Sequence, residues 1–290
     1  MENLLTYAFM QRALLAGFLI SLTCAVLGVF LVLRRDAMIG HGLAHVTFGG
    51  VALGLFLSLA PILVALGVAV ISALGILHLK ERAGLYGDTG IGIISSLGMA
   101  LGIILVSLAG SFNVDLFGYL FGNILAIDPQ EVWIALILAF VVLSAIALFY
   151  QEFVYLTFDS ESARVAGVRV RRLESLLAML TAVTVVLGMK VVGILLVSAL
   201  LVIPAAAALQ VARSFKEALA ISAFLAGISA LGGLVISFYL DWPASGTIVS
   251  LSGMLFLILY QMRPFRKHRG DPLPPGEREK VMKQVQDPSP

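Results

Sequence analysis

His41 and His45 stand four residues apart in Ile39-Gly40-His41-Gly42-Leu43-Ala44-His45-Val46-Thr47-Phe48-Gly49-Gly50, a stretch that is otherwise apolar. Residues at i and i+4 share one helical face, their β-carbons about 5–6 Å apart. Two imidazoles so placed can converge on one ion, and imidazole suits zinc and other late first-row divalent metals. Ionisable side chains inside apolar helices are costly and point to function. Taken alone, the pair serves metal ligation or an interhelical hydrogen bond equally well.

The element that carries them must be a membrane helix. The chain has 290 residues, 60% hydrophobic and 12% charged, with a mean hydropathy of +1.03. Soluble domains carry roughly 25% charged residues. A β-barrel would show short alternating segments instead. The expected class is therefore an all-α polytopic membrane protein. A net charge of +2 gives no footprint for nucleic acid. The lone Cys24 excludes an internal disulfide and reads as a small apolar filler. The N-terminus lacks a basic region and a cleavage site, so the first apolar segment is expected to remain in the mature protein.

A span needs about 20 apolar residues. That ruler places spans at 13–33, 38–59, 61–79, 89–109, 132–150, 174–189, 191–212, 218–238 and 246–262. Asp128, Pro129 and Glu131 mark the start of the fifth, and Ser214 with Glu217 forms a capping box before the eighth. Basic residues gather at Arg34-Arg35, Lys80 and Arg82, Arg164 to Arg172, Arg213 and Lys216, and beyond Arg263. The positive-inside bias makes these ends cytoplasmic. The C-terminus is then inside and the N-terminus outside, with Arg12 dissenting. Residues 113–127 are apolar but short, as in a re-entrant or interfacial helix. If that segment crosses, the count changes, so eight or nine spans are expected. The Gly50/Gly54, Gly98/Gly102 and Gly118/Gly122 patterns suit close helix approach, most simply within one subunit. The region 1–262 reads as one transmembrane domain. The Pro-rich, charged stretch 263–290 reads as a disordered cytoplasmic tail.

Residues 151–173 form the longest polar interruption. Asp159 or Ser160 can cap a short helix, with Ser162 to Ala166 as its body and Gly167 as its left-handed stop. Composition alone describes a solvated positive-inside loop; a capped two-turn helix there would also make a docking knob.

Five segments in order resemble the membrane permease of the ABC-type zinc/manganese/iron uptake systems, the zinc-uptake permease (ABC-3) family. They are 38–54, 115–122 (Asp-Leu-Phe-Gly-Tyr-Leu-Phe-Gly), 159–173, 189–207 and 239–246. The resemblance runs over about residues 5–262. It implies a homodimer with a fold like the vitamin B12-type importers, in the cell membrane of a prokaryote. It also implies two copies of a separate ATPase and an extracytoplasmic metal-binding protein. Within 158–173 it makes Asp159, Ser160, Glu161, Ser162, Ala163, Arg164, Val165, Ala166 and Gly167 the coupling helix that fits a groove on the ATPase. The family's second span usually carries Asp-x-x-x-His facing the translocation path. His45 matches that histidine, and His41 stands where the aspartate is usual. Without the hard carboxylate oxygen the site suits zinc better than manganese. The metal is then transported cargo, and no permanently bound cofactor is expected.

No G-x-x-x-x-G-K-[ST] pattern occurs, so the chain is expected to be a transport subunit without its own ATPase site. A second hypothesis is a secondary metal transporter or channel independent of ATP, but its spans would need intramembrane acids for charge coupling. A third, an intramembrane hydrolase, lacks His-Glu-x-x-His and a nearby nucleophile. Lys190 is expected to snorkel at an outer turn, and Asp115 and Asp241 to be solvated outer-loop acids. Trp242 suits the interface. His78 is expected to be solvated near an inner helix end, and His268 belongs to the tail.

Overall fold

The computed structural model describes residues 7–82, 88–108, 122 and 127–262. These fold into helices α1 (Ala8–Leu33), α2 (Met38–Phe56), α3 (Pro61–Arg82), α4 (Thr89–Leu108), α5 (Pro129–Leu148), α6 (Tyr150–Phe158), α7 (Ser160–Val165), α8 (Val170–Val192), α9 (Ile194–Val211), α10 (Phe215–Leu240) and α11 (Ala244–Gln261). Nine of the described helices are long and apolar enough to cross a membrane. The segment 113–126 (Gly122 apart), Asp115, and the tail with His268 lie outside the described residues.

Local chemistry sets the helix ends. The Asp128 amide donates to Glu131 Oε2 at 3.3 Å, opening α5. Ser214 Oγ accepts the Glu217 amide at 3.2 Å, while the Glu217 carboxylate reaches back to the Arg213 amide at 2.7 Å. The α8–α9 break falls on Gly193, whose φ of +89° suits a residue without a β-carbon. Between α1 and α2 the chain turns in four residues. Arg35 takes the left-handed conformation (φ 61°), Asp36 N–H bonds Leu31 O at 2.8 Å and Arg35 N–H bonds Val32 O at 3.1 Å. That is a Schellman stop with an arginine where glycine is usual.

The helix ends fall within a few residues of the expected spans, with two larger shifts and one helix that was not expected. Helix α1 starts at Ala8 rather than 13, because Gln11 and Arg12 continue the helix as its polar first turns. Helix α8 starts at Val170 rather than 174, its basic first turn extending past the apolar stretch. Residues read as loop after 150 instead form the short helix α6, which buries Phe153 and Leu156.

Two ends of the bundle are distinguished by their contacts. At one, Arg34, Asp36, Lys80, Leu156 and Glu174 meet. At the other, Lys190 pairs with Glu131 and the rings of Tyr7 and Phe238 sit 6.1 Å apart. The first end holds the basic clusters and is therefore cytoplasmic.

Helix α2 is wedged among neighbours by its glycines. A β-carbon on Gly50 would come within 2.7 Å of Ala65 Cα on α3, and one on Gly40 within 2.6 Å of Leu201 Cδ1 on α9. A β-carbon on Gly49 would strike the Gly98 carbonyl of α4. Small residues permit this approach where lipid supplies no hydrophobic drive between helices. The Gly50/Gly54 and Gly98/Gly102 patterns thus pack helices within one chain.

Candidate metal site and coupling element

With three sides of α2 occupied, Met38, His41 and His45 occupy the uncovered strip near the cytoplasmic end: His41 is exposed and His45 partly so. Residue 45 lies seven positions into α2, roughly 10 Å along the axis at 1.5 Å per residue. The two Nε2 atoms face each other at 3.2 Å, the rings nearly perpendicular at 88°. Zinc–imidazole bonds of about 2.0–2.1 Å spanning that gap would enclose an angle of about 103°, near the tetrahedral value. The separation of the pair is thus compatible with two adjacent corners of a tetrahedral metal site. Without a metal, one ring can donate to the other, which the neutral tautomers permit. Among the described residues no cluster of three or more His, Cys, Asp or Glu is placed to hold a metal. A pair of imidazoles alone would leave coordination positions open, which suits transient rather than permanent binding.

The 159–167 segment forms the second element. Asp159 caps α7: its Oδ1 accepts the Ser162 amide at 2.9 Å and its other oxygen the Ser162 hydroxyl. The Ser162 hydroxyl and amide, with the Glu161 amide, hold the Asp159 carboxyl below its ordinary range, so it is charged at neutral pH. The helix body begins at Ser160, two residues before the expected Ser162, because the cap is Asp159. Gly167 stops it at φ +83°, with Val168 N–H bonding Ala163 O at 3.0 Å. Ala163 is fully buried and seats the helix, whereas Val165 at its end is 91% exposed.

Other sequence candidates fall elsewhere. Lys190 is not a snorkelling turn residue: it sits inside α8 and pairs with Glu131 at 3.5 Å. The acid on the neighbouring span offsets its charge in the last turn of α8. Asp241 is an exposed left-handed helix stop (φ 54°), and Trp242 projects beside it. His78 is exposed near the inner end of α3. Sequence reading missed the cluster around Asp36, which is only 5% exposed. The only signal was an acid beside Arg34-Arg35 at a span boundary.

A bundle of apolar spans with a short capped helix between two of them defines a polytopic membrane protein. Residues 6–263 match the ABC 3 transport family. The chain is 32% identical over 264 residues to the manganese transport system membrane protein MntC of Listeria monocytogenes, covering 91% of this chain and 94% of MntC. It is 36% identical over 246 residues to the high-affinity zinc uptake system membrane protein ZnuB of Haemophilus influenzae, covering 85% of this chain and 94% of ZnuB. Its fold matches PsaBC from Streptococcus pneumoniae, solved in complex with Fab, with a TM-score of 0.79 and 30% identity over 97% of each chain. The chain belongs to the ABC 3 transport family and is a multi-pass membrane permease of that family.

Proposed function

We propose that this chain forms the translocation path of an ATP-driven importer of divalent transition metal, with zinc preferred over manganese. His41 and His45 bind the ion in transit. Two copies of the chain bring two such pairs around a shared axis, and the uncovered α2 strip is the face that would line it. Asp159 to Gly167 seat in a groove on a separate P-loop ATPase, and an extracytoplasmic binding protein delivers the metal. Relatives named for manganese and for zinc transport support the class of cargo. The all-imidazole donor pair supports the order of preference.

The observation that carries this reading is the 3.2 Å Nε2 pair on the open strip of α2. The test is metal uptake by proteoliposomes holding this chain, the ATPase and the binding protein. Uptake is expected to require ATP and to favour zinc. Uptake at the same rate without ATP would instead identify a channel or secondary transporter.

A further inference from the structure

The charge cluster around the buried Asp36 joins elements that the sequence keeps far apart. Arg34 closes α1. Its Nη2 donates to Glu174 Oε1 at 2.6 Å and its Nη1 to the Leu156 carbonyl at 3.3 Å. Its Nε lies 3.5 Å from Asp36 Oδ2, and Lys80 Nζ on α3 meets Asp36 Oδ1 at 2.6 Å. Leu156 belongs to α6, which runs directly into Asp159. Glu174 lies in the early turns of α8, just after Gly167. Both flanks of α7 are therefore held by one guanidinium fork, whose planar, fixed donors transmit position better than a lysine would.

The other side of the cluster leads to the histidines. Asp36 is locked by the Schellman turn through its amide, and its own carbonyl accepts the Ile39 amide at 3.0 Å, starting α2. His41 follows five residues later, roughly 8 Å along the helix. The quartet holds two positive and two negative groups, so it is neutral as a whole. Removing Asp36 or Glu174 leaves the largely buried Arg34 guanidinium with less compensation, while Lys80 stays exposed at the edge of the cluster.

We infer that Arg34, Asp36, Lys80 and Glu174 are positioning residues that carry movement of α7 to the helix bearing His41 and His45. This rests on the ATP-driven reading above. A strut linking only α1 to α8 would hold the fold. This one also grips the segment entering α7 and the turn that opens α2. A push on α7 would displace Leu156 and Glu174 together, move Arg34 with them, and tilt α2 through Asp36.

The test uses the whole complex in proteoliposomes and reads ATP hydrolysed per metal ion imported. Wild-type uptake tests the transport reading by itself; the ratio in the variants tests the strut. Glu174→Gln and Asp36→Asn are expected to keep hydrolysis within about twofold of wild type while metal imported per ATP falls about tenfold, the range open to a disrupted coupling element. Glu131→Gln, which removes an ion pair at the opposite membrane face, is expected to leave the ratio unchanged. Arg34→Lys keeps the charge but loses the fork, guarding against a folding failure, and is expected to lose about two- to fivefold in the ratio. Wild-type ratios in Glu174→Gln, Asp36→Asn or Arg34→Lys, or an equal loss in Glu131→Gln, would overturn the proposal.

Discussion

Val46 on α2 and Gly98 on α4 are packed backbone to backbone: a β-carbon on Gly98 would lie 2.8 Å from the Cα of Val46. Val46 follows His45 directly, so the packing of α4 sets where that imidazole points. Gly98→Leu should push α2 away at a cost of about 1–3 kcal/mol, typical of overpacking. Thermal unfolding of the purified complex should show a lower midpoint, with metal uptake falling further than assembly. An unchanged midpoint would mean that α2 and α4 separate without cost.

Gly167 holds a left-handed conformation with open space where a β-carbon would sit. Substitution there tests conformation alone. Gly167→Val should cost about 1–2 kcal/mol by chirality and unwind the end of α7. ATP hydrolysis should continue while uptake falls. A variant that assembles and imports normally would remove the coupling role from this segment.

The cap offers a separate handle. Asp159→Asn retains an acceptor for the Ser162 amide, whereas Asp159→Ala removes it and leaves the helix start uncapped. Binding of the ATPase subunit should therefore weaken in the alanine variant and not in the asparagine variant. Because the carboxyl's folded pKa is lowered, its contribution is present above the ordinary carboxylate range and lost as pH falls through the lowered value. Equal binding by both variants would show that the cap is dispensable.

Sidedness follows from the grouping of charges. A cysteine at Arg164 should resist an impermeant thiol reagent in intact cells, and one at Asp241 should react. The native Cys24 is fully buried and gives no background. Reversed labelling would invert the topology.

The spans were readable because apolar runs of helical length have few alternatives in lipid. The caps at Ser214 and Asp159 were readable because capping is local chemistry. The His41–His45 pairing followed from helical periodicity alone. Asp36 and Glu174 were not readable as partners of Arg34 and Lys80: the Arg34–Glu174 bond spans 140 positions, and a positive-inside count treats each basic residue as solvated. Lys190 was misread for the same reason, since its acid sits on another helix. Helix α6 was missed because its polar residues masked a face that buries Phe153 and Leu156.

Exchanging one of the two proposed ligands tests the donor set. His41→Asp introduces a harder oxygen donor and should remain active while shifting preference toward manganese. Competition between zinc and manganese during uptake reads the shift directly. An unaltered preference would place selectivity outside this pair.

The most direct measurement is ATP-dependent zinc uptake by proteoliposomes carrying the complete complex, compared between wild type and His45→Ala. The variant should assemble with its ATPase and import essentially no metal, because one imidazole alone cannot form the chelating pair. Import by His45→Ala at the wild-type rate would show that the two histidines only bond to each other and that the metal crosses elsewhere.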